Sequence, residues 1–505
     1  MTRETLGRIV STAPTAGRAS FAGLQGTRTL ELAELHRQSG RVARWLWSLG
    51  VRAGDRIGIL AANGPEWVLL DLAALRLKAE TAGLEPGKFL PNSALLARYG
   101  LTLLFTDRPS DAPGVVPLTD VAEAAGRSDL DDVPEPPPVE WGPLDVTTIK
   151  FTSGSTGEPK GLGATAGSVD SSLKAVQEIF EHGPGDDLFV FLPLSLLQQR
   201  YWIYSALLHG HDVTVSTYEA AFAALRRTRP TVVMGVPAFY ETARRRIEAG
   251  RRAAPTLEEA AREVFGDRIR YLWTGSAPAA PSTLRFFEDA GLPIFEGYGL
   301  NETCIVAKNH PKAHREGSVG RVLRGKEVLI DDEGVVHVRS EHPVNVAYAF
   351  SPPGASEKVF ASDGTVRTGD LGHLDEDGYL FIRGRADDVI VLDNGKKIVV
   401  RPIEERLKAD PAIAECVLFC PGQTELVAVV SPARLPADRE AVAARLALAN
   451  AALSPDERIS RVVLADEPFG IANGLLTSQY KPKRRDILAA HHTAVHDPEE
   501  GIHAP

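Results

Sequence analysis

The chain has 505 residues, 44% of them hydrophobic and 24% charged, with a formal net charge of −10. That length exceeds one ordinary hydrophobic core, so at least two domains are expected. The acidic balance argues against a nucleic-acid partner, because the short basic cluster from Lys481 to Arg485 is all that offsets it.

The N-terminus, Met1 to Arg8, lacks an apolar signal core, and no run approaches the roughly 20 apolar residues that cross a bilayer. A cytoplasmic enzyme with no membrane span is the expectation. Three cysteines, Cys304, Cys416 and Cys420, are too few for a disulfide framework, and an isolated C-x3-C is poor evidence for zinc.

From Thr29 onward the pattern reads as an amphipathic helix from Leu32 to Leu46, a strand from Arg56 to Ala61 and a second helix after Asn63-Gly-Pro65. Leu103 to Asp107 reads as another short strand, and the proline-rich stretch Val133 to Val139 as a stiff linker. Four apolar β-rich runs follow, Leu188 to Pro193, Val213 to Val215, Thr231 to Val236 and Tyr271 to Thr274, separated by helical stretches. Such runs suit a parallel sheet covered on both faces. Between Gly317 and Tyr379, short strands with Asp-rich turns predict antiparallel structure, and a final α+β unit follows.

Ahead of those runs lies Ile149-Lys-Phe-Thr-Ser-Gly-Ser-Thr-Gly-Glu-Pro-Lys-Gly161, a phosphate cradle by its residue types. Gly154, Gly157 and Gly161 let the backbone approach a bulky anion; Thr152, Ser153, Ser155 and Thr156 offer donors, and Lys160 adds a mobile positive charge. The order differs from the Walker pattern, since Pro159 precedes the lysine and Gly161 follows it.

This string resembles the signature loop of the adenylate-forming (AMP-binding) superfamily, which includes acyl-CoA synthetases, peptide-synthetase adenylation domains and luciferases. Glu296-Gly-Tyr-Gly-Leu-Asn-Glu302 is similar to that family's Y-G-x-T-E segment, Arg367-Thr-Gly-Asp370 to its T-G-D, and Gly384-Arg-Ala-Asp-Asp388 to its G-R-x-D-D. Leu476 to Arg484 resembles the lysine-bearing terminal motif of the long-chain acyl-CoA synthetase branch.

The resemblance implies a large N-terminal domain of parallel-rich α/β sheets with a small β subdomain (1–384), a hinge at 385–388 carrying Asp387, and a small mobile α+β lid (389–505). It implies ATP and Mg2+ as cofactors, with CoA as co-substrate if the product is a thioester, and a monomer or homodimer acting on a small-molecule acid and an acceptor. The loop from Thr152 to Lys160 would hold the β- and γ-phosphates and Glu302 the metal. Tyr298 would stack on adenine beside Gly275-Ser276-Ala277-Pro278, with Glu296, Gly297 and Gly299 around it. Asp370 would bind the ribose hydroxyls with Arg385 assisting, and Asn301 would stand beside the α-phosphate. Lys481 would be the catalytic lysine, with Lys483 as its competitor; lid rotation would then present the loop around Gly395 for the second half-reaction.

Three departures bear on the substrate. Leu196 stands where the family has histidine or an aromatic gate, Asn301 where it has threonine, and Leu162 to Gly167 lacks the usual Thr-His pair. Leu196 by that departure, Cys304 by its place two residues after Glu302, and Gly395 on the lid loop are the candidates for the acid or acceptor pocket, a small buried apolar residue being the other reading of Cys304. The leading expectation is a carboxylate:CoA ligase of long-chain acyl-CoA synthetase type. A diazotase that activates nitrite and passes it to an aryl amine in natural-product biosynthesis is the alternative, and a silent nucleotide-binding protein the third.

Overall fold

The computed structural model describes residues 5–152, 159–251, 254–477 and 480–504, with Thr152 described by its backbone alone. Ser153, Gly154, Ser155, Thr156 and Gly157 of the expected phosphate loop lie outside the described residues.

Two sheets form the bulk of the chain. The six-stranded sheet runs in the order Val115–Pro117, Leu103–Thr106, Arg56–Leu60, Glu80–Leu84, Val146–Thr152, Lys160–Thr165, all parallel except the last. The nine-stranded sheet has a parallel centre from Arg18–Ala22 to Ile294–Leu300 that contains the four apolar runs; its outer pairings are antiparallel. Strands buried on both faces carry apolar residues at consecutive positions, which is why Leu188, Phe189 and Val190 follow one another without alternation.

Between the sheets lies the main core. The helix Pro65–Leu77 starts with proline in its first turn and is buried almost all round, as expected of a helix packed on several sides. Leu32–Ser48 is the amphipathic counterpart: Leu32, Leu35, Val42 and Leu46 face inward. Asp71 on the buried helix binds Arg200 on the helix Leu197–His209, Nη1 to Oδ1 2.7 Å, and Tyr204 donates to its other oxygen at 2.5 Å. Arg200 also reaches the Thr81 and Thr148 hydroxyls of the six-stranded sheet.

A four-stranded antiparallel sheet follows, Lys326–Ile330, Val335–Ser340, Val366–Leu374 and Leu380–Arg385, where the Asp-rich turns predict it. Beyond the short turn Ala386–Asp388 comes the C-terminal α+β unit, with the ribbon Val389–Val391/Lys397–Val399 and a mixed four-stranded sheet over its own apolar core. Among the described residues no helix is long and apolar enough to cross a membrane.

Candidate active site

The strand Ile294–Leu300 turns through Asn301, Glu302 and Thr303 into Cys304–Lys308. The hairpin shifts register at Tyr298/Gly299, and a Cβ on Gly299 would stand 2.1 Å from the Cys304 carbonyl oxygen, so only glycine fits. Two lysines grip the turn. Lys150 donates to the Asn301 carbonyl at 2.5 Å and Lys326 to the Thr303 carbonyl at 2.8 Å, so the peptides on both sides of Glu302 are tied down. The Glu302 carboxylate accepts from the Tyr348 hydroxyl at 2.6 Å, and Lys160 Nζ lies 5.1 Å from the centre of that same ring. The structure thus brings the loop lysine and the candidate metal ligand to one tyrosine. Burial, reinforced by the Glu302 charge, pushes the Tyr348 hydroxyl above its ordinary pKa.

Asp370 and Arg385 face each other across the pair Val366–Leu374/Leu380–Arg385. Arg385 Nη1 lies 3.2 Å from Asp370 Oδ1 and donates to the Thr368 carbonyl at 2.8 Å, while Nε donates to Asp387 at 3.0 Å. Tyr298 donates its hydroxyl to the other Asp370 oxygen at 2.6 Å. Lys481, from the C-terminal unit, enters the field of this cluster. Burial lowers its pKa below the ordinary lysine value; the Asp370 carboxylate opposes that shift and Arg385 reinforces it. Lys483 sits differently, partly exposed and 3.4 Å from Asp486.

Beside the cluster opens a cavity of about 300 Å³ lined by Gly275, Ser276, Gly297, Tyr298 and Gly299 on one side and by Leu196, Trp202, Met234 and Trp273 on another. Tyr480 and Ile471 of the C-terminal unit also line it, and Tyr480 stacks on Tyr218 with ring centres 5.4 Å apart. Leu196 is therefore a wall residue, at the start of the helix Leu197–His209.

Five expected residues stand elsewhere. Cys304 is fully buried behind the wall, its sulfur 3.3 Å from the Tyr201 hydroxyl and 3.8 Å from Lys150 Nζ, so it is not a pocket residue. Burial raises its pKa, but Lys150, Lys326 and the Tyr201 hydroxyl outweigh that and leave it below the ordinary thiol value. Glu296 accepts from the Ala279 amide at 3.2 Å and holds the loop from Gly275 to Pro278; burial raises its pKa against the Ala279 hydrogen bond and the charges of Arg401 and Lys308. Of that loop only Gly275 and Ser276 reach the cavity wall; Ala277 and Pro278 do not. Gly395, at φ 81°, forms the tip of the ribbon turn; its neighbour Lys396 is fastened to Asp456 at 2.8 Å, and neither lines the cavity.

The expected Mg2+ fits this donor set only jointly with nucleotide. Among the described residues no cluster of three or more His, Cys, Asp or Glu could hold a metal unaided. Glu302 offers one carboxylate, and Mg2+ is commonly held by one or two carboxylates together with substrate phosphates and water.

Residues 11–342 match the family described as AMP-binding enzyme, and residues 387–469 match the AMP-binding enzyme C-terminal domain. The chain belongs to the AMP-binding enzyme family. Its relatives in that family include the long-chain-fatty-acid–CoA ligase FadD15 of Mycobacterium bovis, 29% identical over 90% of each chain. Another is the 2-succinylbenzoate–CoA ligase of Bacillus subtilis, 28% identical over 77% of this chain and 79% of that one. Among solved structures, ATP-bound MatB from Rhodopseudomonas palustris superposes with a TM-score of 0.80 at 22% identity, covering 97% of this chain and 99% of that one, which shows the shared fold. Membership in the AMP-binding family makes this chain an AMP-forming, acyl-CoA synthetase-like adenylating ligase.

Lys150, Lys326 and Tyr348 were not singled out from the sequence. A lysine inside the otherwise apolar run before the phosphate loop was the available signal for Lys150.

Proposed function

We propose that this protein is a carboxylate:CoA ligase whose first half-reaction is carried out in the conformation described here. The observation that supports this reading is the placement of Lys481, from the C-terminal unit, in the electrostatic field of Asp370 and Arg385, beside the cavity that Tyr298 lines.

The acid sits in the cavity with its carboxylate toward Tyr298 and Gly299. One carboxylate oxygen attacks the α-phosphorus of ATP, the bond to the β-phosphate oxygen breaks, and pyrophosphate leaves with that electron pair. Charge gathers on the non-bridging α-phosphate oxygens, where a positioned cation stabilises the transition state more than the ground state. Lys481 supplies it. Asp370 accepts from the ribose hydroxyls, oriented by Arg385; Tyr298 closes the adenine side, with Gly275, Ser276, Gly297 and Gly299 at its wall. Lys160 and the loop from Thr152 to Gly157 receive the β- and γ-phosphates, and Asn301 faces the α-phosphate. Mg2+ held by Glu302 would neutralise charge on the departing phosphates; Tyr348 holds that carboxylate, and Lys150 and Lys326 hold the backbone turn that carries it.

In the second half-reaction the CoA thiolate attacks the acyl carbonyl carbon and AMP departs. Residues 1–384 act as the core and 389–505 as the lid. The lid turns about Asp387 within 385–388, withdrawing Lys481 and bringing the loop at Gly395 toward the site.

The test is a measurement of pyrophosphate and of products by mass spectrometry, with a panel of acids and either CoA or an aryl amine. A CoA thioester is the expected product. Pyrophosphate release with nitrite and a diazonium product from the amine would replace this reading with the diazotase one.

A further inference from the structure

Resting on the adenylation reading, we infer that the acid this enzyme activates is a compact aryl carboxylic acid bearing a hydroxyl or amino group, recognised by Gln199, and not a long-chain fatty acid.

The first ground is the floor of the cavity. Trp202 and Trp273 meet edge to face with centres 4.8 Å apart, and the Trp202 indole donates to the Met234 sulfur at 3.2 Å. Behind them is solid aromatic packing: Phe180 stacks on Trp273 at 5.3 Å and His182 packs on Trp202 at 5.6 Å. On this side the space an extending alkyl chain would need is filled by side chains. The cavity, about 300 Å³, lies at the low end of the roughly 300–1,000 Å³ usual for ligand pockets. Flat indole walls and a thioether match an aromatic ring.

The second ground is polar. Gln199 lines the cavity, is only 1% exposed, and among the described residues its side-chain carbonyl oxygen has no hydrogen-bond partner. Ser172 and Tyr201 share the wall with it. An acceptor left unpaired in a buried site is costly, so its natural complement is a donor on the ligand. A phenolic hydroxyl or aryl amine supplies that donor on a ring of the right bulk. A fatty acid would bury the same carbonyl against methylenes.

Gln199 is placed here without disturbing the fold's anchor. The adjacent residue, Arg200, points away into the Asp71 pair, and helical geometry sets the two side chains on different faces.

The test compares pyrophosphate release by wild type and by Gln199→Leu on benzoate, 3- and 4-hydroxybenzoate, 3- and 4-aminobenzoate, and dodecanoate, with and without CoA. Wild type should prefer its best hydroxy- or aminobenzoate over benzoate by about 5- to 150-fold in kcat/KM, the scale of roughly 1–3 kcal/mol for one buried unpaired acceptor. Gln199→Leu should bring that ratio close to one. Should Gln199→Leu fold poorly by thermal denaturation, Gln199→Glu, which keeps an acceptor, is expected to retain a preference for the donor-bearing acid. Dodecanoate outperforming every aryl acid, or a ratio unchanged in Gln199→Leu, overturns the inference and leaves CoA ligation intact. Pyrophosphate release on a hydroxy- or aminobenzoate without thioester upholds it while removing CoA as the acceptor.

Discussion

Replacing Lys481 with alanine isolates the one charge that the C-terminal unit contributes to the proposed transition state. The side chain is largely withdrawn from water, beside Asp370 and Arg385, so its charge acts in a medium of low effective dielectric. Removing a single preorganised donor of this kind costs about 10²–10³ in kcat, roughly 2.7–4 kcal/mol. We expect a loss of at least that size in pyrophosphate release, with the ATP dissociation constant by calorimetry changed by less than about threefold, because the charge counts chiefly in the transition state. Lys483→Ala is the control. Its partner Asp486 is 3.4 Å away at a partly exposed position, where such pairs contribute about 0–1 kcal/mol. The pH profile carries an independent check. Burial holds the Lys481 pKa below its ordinary 10.5, so the ammonium is lost as pH rises through that lowered value, and the rate should fall on an alkaline limb below 10.5. Lys481→Arg, whose side chain stays protonated, should lack the limb in its residual activity. Equal losses at Lys481 and Lys483, or ATP affinity falling in step with rate, would refute the assignment.

Asp370→Ala should act on binding, weakening ATP by about 10- to 150-fold for the roughly 1.5–3 kcal/mol of one charged hydrogen bond, read by calorimetry. Lys150→Met leaves the Asn301 carbonyl without its donor; we expect a stability loss of about 1–3 kcal/mol in urea unfolding and a fall in kcat as Glu302 loosens, and an unaltered kcat would separate Lys150 from the chemistry. Arg200→Met strands the Asp71 carboxylate in the core and should cost about 3–5 kcal/mol, whereas Asp71→Leu/Arg200→Met should recover most of it. A double variant as unstable as the single one would show that packing, not the orphaned charge, sets the loss.

The α/β alternation and the parallel apolar strands were legible because each is a local pattern of burial, and the Tyr298, Asp370 and Arg385 motifs because each is a contiguous string. The misplacements share a different cause. Cys304 lies two residues from Glu302, which on a regular strand would put both on one face; its backbone instead takes φ 55°, breaking the alternation and sending the thiol beneath the turn. Gly395 sits on a unit whose orientation decides which edge meets the cavity, and that orientation is not a property of the local string. Lys150, Lys326 and Tyr348 meet only when three distant strands and loops fold against one turn, so no spacing in the chain records them.

The Asp71–Arg200 bridge works as a keyway for the helix Leu197–His209. With one residue locked into a slot between two sheets, the helix can neither roll nor slide, so the angular position of every neighbour on it is set in advance. Gln199, Tyr201, Trp202 and Ser205 all look into the cavity from that fixed shaft. Descendants of such a chain can exchange those side chains one at a time and change what the cavity accepts while the shaft stays where it is, which separates the drift of substrate preference from the hazard of losing the fold.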